Sequence, residues 1–152
     1  MEKFIFAKSS DSSEYFPDNK YYDFKIHLDR PLQLQGYWKV GITEFFTKAS
    51  PTKRTIDKTA HTSTIFIRKP LYVYTDICSF SSVHGHEQPL LRIIHADASY
   101  GWNDKFDSVY YFPVRFPEIS DIHIYLKDDS GSLATFIDSD VWVTLHLHRY
   151  PF

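Results

Sequence analysis

The chain has 152 residues, enough for one domain that buries roughly 70% of its unfolded surface in a core. A formal net charge of −2 and a pI near 6.4 give no global electrostatic drive toward nucleic acid or an anionic membrane. The single cysteine, Cys78, excludes an internal disulfide, and no stretch approaches the ~18 apolar residues that span a bilayer.

Period-two apolar runs recur from end to end, and no window holds a 3.6-residue apolar period, so the sequence predicts an all-β protein. In chain order the expected strands are Lys3 to Ala7, Tyr22 to Leu28, Tyr37 to Phe46, Ser63 to Arg68, Leu71 to Ile77, Leu90 to Ile94, Val109 to Phe116, Ile119 to Lys127 and Val141 to Arg149. Prolines fall mostly between or at the ends of these runs, where a missing amide donor does least harm. Pro113 alone lies inside one, which predicts an edge position or a bulge. Two connections are long, Thr47 to Thr62 and His95 to Asp107, and long loops in a small β domain are commonly functional. The final third is the clearest segment. Ile122 to Leu126 and Val141 to His148 alternate aliphatic with polar or aromatic residues, and between them Lys127 to Ser132 supplies Asp, Ser and Gly turn chemistry. They read as a closing hairpin, with the C-terminal strand closing its sheet. Eight or nine strands with irregular connections suit a single jelly roll of two packed antiparallel sheets, spanning 1–152, better than an up-and-down barrel. An immunoglobulin-like sandwich lacks its Cys-Trp-Cys pattern here.

Sequence signals for chemistry are sparse. No nucleophile elbow, phosphate-binding loop or dinucleotide fingerprint occurs. Cys78 reads as a small buried hydrophobe. His84, Gly85, His86 and Glu87 put two imidazoles and a carboxylate close together, as a metal site of a cupin-like enzyme would, but no third ligand lies near in sequence. His146 and His148 form a second i, i+2 pair about 7 Å apart on the face opposite Val143, Leu145 and Leu147. Asp128 and Asp129 fall in the predicted turn and read as solvated. Glu44 shares the parity of Trp38, Val40 and Ile42, so it either reaches solvent at the strand end or pairs with an arginine such as Arg92 or Arg115.

Several blocks carry a resemblance. Tyr15-Phe16-Pro17-Asp18-Asn19 leads to Asp23-Phe24-Lys25-Ile26-His27-Leu28. Pro31-Leu32-Gln33-Leu34-Gln35-Gly36-Tyr37-Trp38 runs into a strand that ends at Glu44. Leu71 to Ile77 is followed by Pro89-Leu90-Leu91-Arg92, and Phe112-Pro113-Val114, Ile122-His123-Ile124, Asp129-Ser130-Gly131 and Val143-Thr144-Leu145-His146 complete the order. Together they resemble the minor capsid (penton) proteins of Polinton (Maverick) elements and adintoviruses, over roughly Tyr15 to Arg149. The resemblance implies a jelly roll that forms homopentamers at the vertices of an icosahedral capsid, beside a double-jelly-roll major capsid protein. It implies a virion protein assembled inside the host cell, with no enzymatic activity, no cofactor, no membrane span and no specific nucleic acid. The chain departs from the family in ending Leu147 to Phe152 without a basic tail and in its polar Ser79 to His86 segment.

Aromatic residues make up 18% of the chain, with 11 Tyr and 13 Phe, and aromatics favour both strands and interfaces. Subunit contacts are accordingly expected at Tyr100, Trp102, Trp142, His146 and His148, Trp142 being opposite the core parity of its strand, with the two long loops facing the shell exterior or neighbouring capsomers. A jelly-roll carbohydrate-binding module, stacking sugars on exposed Trp and Tyr, is the alternative.

Overall fold

The computed structural model describes residues 2–48, 52–58, 61–67, 70–95 and 102–150, with the backbone alone for 52–58 and 61–67. Thirteen strands follow in order: β1 (Glu2–Lys8), β2 (Asp23–Gln33), β3 (Trp38–Thr47), β4 (Thr52–Lys58), β5 (His61–Ile67), β6 (Leu71–Thr75), β7 (Ser81–Val83), β8 (His86–Gln88), β9 (Leu90–Ile94), β10 (Asn103–Lys105), β11 (Phe112–Pro113), β12 (Glu118–Lys127) and β13 (Val141–Arg149). Every strand pair is antiparallel.

The first sheet runs β1-β13-β3, with β10 and β11 both on the far side of β3, and the second runs β2-β12-β6-β9. Along the chain the strands shuttle between them. β1, β3, β10 with β11, and β13 belong to the first sheet, whereas β2, β6, β9 and β12 belong to the second. This interleaving makes the fold a jelly roll, with one of its eight strand positions divided between the short β10 and β11. Hairpins β4–β5 and β7–β8 are additions to that frame.

Alternation along each strand sends one set of side chains between the sheets. Ile5 and Ala7 of β1, Val40 and Ile42 of β3, and Val141, Val143, Leu145 and Leu147 of β13 meet Phe24 and Ile26 of β2, Val73 of β6, Leu91 of β9, and Ile122, Ile124 and Leu126 of β12. Each fully buried Val, Leu or Ile contributes about 1.5–3 kcal/mol, so this contiguous layer dominates the stabilisation.

The sequence-predicted strands recur with corrected ends and partners. The Thr47 to Thr62 connection contains strand β4, paired along its length with β5. β2 continues through Pro31, which its edge position allows. The Val109 to Phe116 run contracts to the two residues of β11, and Pro113 sits at the edge as expected. The closing pair is not a hairpin: β12 pairs with β2 and β6, whereas β13 pairs with β1 and β3 in the other sheet. The C-terminal strand is therefore interior to its sheet and does not close it. The segment between them turns at Gly131, φ +85°, then crosses the core edge with Ala134 and Ile137 buried.

Candidate functional site

With the core satisfied, chemistry is left to the outer faces of the sheets. On the first sheet the strand register places Phe4 beside His146, Phe6 beside Thr144 and Lys8 beside Trp142, with Trp142 in turn beside Phe46 and His146 beside Gly41. The result is an aromatic surface. Phe4 and Phe6 stack at 6.2 Å and are 52% and 74% exposed. The Trp142 ring is tilted against Phe46 at 5.2 Å, and Lys8 Nζ lies 5.4 Å above it.

His146 sits at the centre of this face and is buried. Its ring stacks on Phe4 at 4.6 Å and on His148 at 5.9 Å, and its Nδ1 is hydrogen-bonded to the Tyr111 hydroxyl at 2.7 Å. Its Nε2 lies 3.3 Å from Glu2 Oε1, without the alignment of a hydrogen bond. Tyr111 reaches it because the Val109 to Tyr111 segment lies directly on β3. A Cβ at Gly41 would come within 2.5 Å of Val109 Cγ1 and 2.7 Å of the Tyr110 carbonyl oxygen, so only glycine admits that approach. Burial, and then the nearby Glu2 carboxylate, raise the Tyr111 phenol above its usual range.

The segment between β10 and β11 is held by Arg92 of β9. Arg92 lies 4.0 Å over Phe106 and 4.1 Å over Tyr110, and its guanidinium donates to the Ser108 carbonyl at 2.5 Å. A planar cation over two rings of the same connection fixes that connection against β9.

The outer face of the second sheet is more polar. His123 Nε2 meets Asp23 Oδ1 at 2.5 Å, and His27 Nδ1 meets Asp121 Oδ1 at 2.8 Å, both across the β2–β12 pair. Tyr15 stacks on His27 at 4.2 Å. Further along, Tyr74 and Tyr125 stack at 5.1 Å and 7°, beneath Lys127. Tyr72 and Tyr74 are covered by Val83 of hairpin β7–β8, which is why all five residues of β6 are buried although only one face meets the core. Burial pushes Tyr74 up from 10.0 to about 12, and Tyr125 up as well.

The residues singled out in the sequence are dispersed. Trp142, His146 and His148 do share one face, with His146 more buried than an outward residue should be, because Phe4 and Tyr111 enclose it. Trp102 is a correction: it has no exposed surface and packs on Phe136 in its own chain's core, so it is not available to a neighbour. Tyr100 lies outside the described residues. Glu44 is exposed and 3.8 Å from Lys105, paired with neither Arg92 nor Arg115. The cause is a bulge at Thr43. Thr144 pairs with Glu44 but Leu145 with Ile42, so the parity of β3 reverses and Phe45 takes the core position.

His84 occurs at φ +50° in the β7–β8 turn and is turned onto Tyr72, Nε2 to hydroxyl 2.7 Å. His86 and Glu87 are exposed, and among the described residues no three His, Cys, Asp or Glu side chains converge on a metal-sized point. Asp128 is not solvated as expected but buried in its turn, its Oδ1 accepting from Ser130 N at 2.9 Å, Ser130 Oγ at 2.6 Å and Ser132 N at 3.2 Å, while Asp129 is exposed. Cys78 is buried as read, its thiol pushed up from 9.0 to about 12, chiefly by that burial.

What sequence reasoning missed on this surface is Phe4, Phe6 and Tyr111. The signal was present in β1, whose Phe4 and Phe6 share the parity opposite Ile5 and Ala7.

The chain is thus a jelly-roll protein with an aromatic outer sheet face. Comparison with protein-family models gives no match, and comparison with curated protein sequences gives none either. Among the described residues, no helix is long and apolar enough to cross a membrane.

Proposed function

We propose that this protein is a structural capsid subunit, the minor capsid (penton) protein of a Polinton- or adintovirus-like particle. In this reading it forms homopentamers at icosahedral vertices beside a double-jelly-roll major capsid protein. It assembles inside the host cell, becomes part of the virion, and works through interfaces without catalysing a reaction. The observation that carries the reading is a jelly roll on which two of the large exposed aromatics, Phe4 and Phe6, lie together on an open sheet face, although others, such as Tyr15 and Tyr37, line concavities. Aromatic surface of that kind is typical of the anchors of protein contacts. The ordered sequence blocks from Tyr15 to Arg149 support the same assignment.

Sugar binding is the competing reading, because aromatic sheet faces also stack on glycans. Trp142 weighs against it: Lys8 and Phe46 already occupy its surroundings, which reduces the flat surface open to a pyranose. Sedimentation equilibrium of the purified protein, alone and mixed with the candidate major capsid protein, is the test. The expected species is five times the 17.9 kDa chain, or a co-assembled particle. A persistent monomer that binds glycans would overturn the capsid reading in favour of the sugar-binding one.

A further inference from the structure

A jelly roll has four sheet edges, and three of them here are blunted. β2 carries Pro31 and a register shift between its partners Ile119 and Asp121, and β9 carries a shift opposite Val73 and Tyr74. The β10 and β11 edge is broken into pieces of three and two residues and contains Pro113. Bulges, prolines, short strands and edge lysines are devices by which edges avoid pairing with other chains. Of these β1 has only the lysines Lys3 and Lys8. It is seven residues long, pairs with β13 in unbroken register, and has no second neighbour among the described residues.

The ladder shows which groups are open. Ser9 N donates to the Val141 carbonyl, in continuation of the β1–β13 register. Antiparallel pairing alternates, so the odd residues Lys3, Ile5 and Ala7 bond to β13 and the even residues face the free edge. Lys8 is already used, since its amide donates to Asp11 Oδ2 and its carbonyl accepts from Asp11 N. Glu2, Phe4 and Phe6 are left with main-chain groups directed outward.

We propose that two copies of this chain join through β1, antiparallel, with Phe4 of each copy opposite Phe6 of the other. The occupant is a second copy because the strand is complementary to itself in this register. Glu2 falls opposite Lys8, Phe4 opposite Phe6, and Lys3 opposite Ala7, so opposite charges meet, rings meet rings, and no like charges face each other. Phe4 and Phe6 are both even, so each pair exchanges two main-chain hydrogen bonds. Sliding by one pair in either direction sets Glu2 against Phe6 or Lys8 against Phe4 and loses the charge match. The contact joins the two first sheets into one and brings the exposed Phe4 and Phe6 rings of both copies together on its outer face. It uses a strand edge and does not rest on the capsid reading.

The test is sedimentation velocity over a concentration series on the full chain and its variants, with thermal unfolding to verify each fold. The wild type should dimerise. Glu2→Lys, replacing two attractive cross-strand pairs by repulsive ones, should raise the dimer dissociation constant about tenfold. Lys8→Glu should do the same, and the double variant Glu2→Lys/Lys8→Glu should return to near wild type. Phe6→Lys, at an exposed position, should fold normally and abolish the dimer. A wild type that stays monomeric, or association insensitive to all four variants, would overturn the proposal. Five-fold rings indifferent to these changes would sink it while leaving the capsid reading intact; a charge-swappable dimer that never forms rings would do the reverse.

Discussion

On the second sheet, Tyr72 and Tyr74 are sealed beneath Val83 of hairpin β7–β8, and Tyr125 stacks in parallel against Tyr74. On the first sheet, Phe4 and Phe6 stack on each other in the open, and only the centre of the face, around His146, is enclosed by Tyr111. Both faces carry aromatic rows in the same parity relation to the core. What differs is the covering segment: a complete hairpin on one side, and on the other a strap that reaches β3 at Gly41 and stops before β1. The covered row contributes to stability, and the bare one is the surface that the proposed contacts would use.

The contrast can be broken by experiment. Alkali should act on the buried groups, Cys78 in the core and Tyr74 beneath the hairpin, before it touches the open face. Cys78 and Tyr74 hold their protons in the fold up to about 12, against 9.0 and 10.0 ordinarily. Their raised values contribute stability that is fully present below pH 9 and lost as pH rises toward 12, because the unfolded chain releases protons there that the fold retains. The loss should reach roughly 4 kcal/mol or more by the top of that window, at about 1.4 kcal/mol per pKa unit, and urea titrations at successive pH values would record it. Tyr74→Ala, removing a ring that is 2% exposed, should cost about 3–5 kcal/mol in the same assay at neutral pH.

Gly41→Val tests the strap. A side chain there collides with Val109 and the Tyr110 carbonyl, so a cost of about 1–3 kcal/mol is expected, together with a chemical-shift change at His146 as Tyr111 is displaced. Phe6→Ser is the smallest. It should change monomer stability by less than about 0.5 kcal/mol, and a larger loss would mean that the open row is structural after all.

The strands with strict alternation were legible in the sequence because period-two patterning is a local property. β9 and β13 have the expected ends, β1 is a residue longer at each end, and β12 starts one residue early. Hairpin β7–β8 was not legible, since its polar residues signal a loop and its one apolar contact, Val83, acquires meaning only against Tyr72 and Tyr74. Glu44 reaches solvent, one of the two outcomes expected for it, but the parity that set it beside Trp38, Val40 and Ile42 does not hold, because one extra residue at Thr43 reverses it and nothing local marks that residue as a bulge. Of the surface now in view, Trp142, His146 and His148 were read correctly as one face. Phe4 and Phe6 were not singled out, although their parity opposite Ile5 and Ala7 was there to be read.

By itself the sequence determined the all-β class, most strand positions and the two-sheet form, through alternation, proline placement and turn residues. Tertiary structure decided which sheet each strand joined, separating β12 from β13 although they are neighbours in the chain. It also drew Trp102 into the core and left β1 at an unprotected edge. Pairing and exposure depend on residues distant in sequence, and a pattern within one strand carries no record of them.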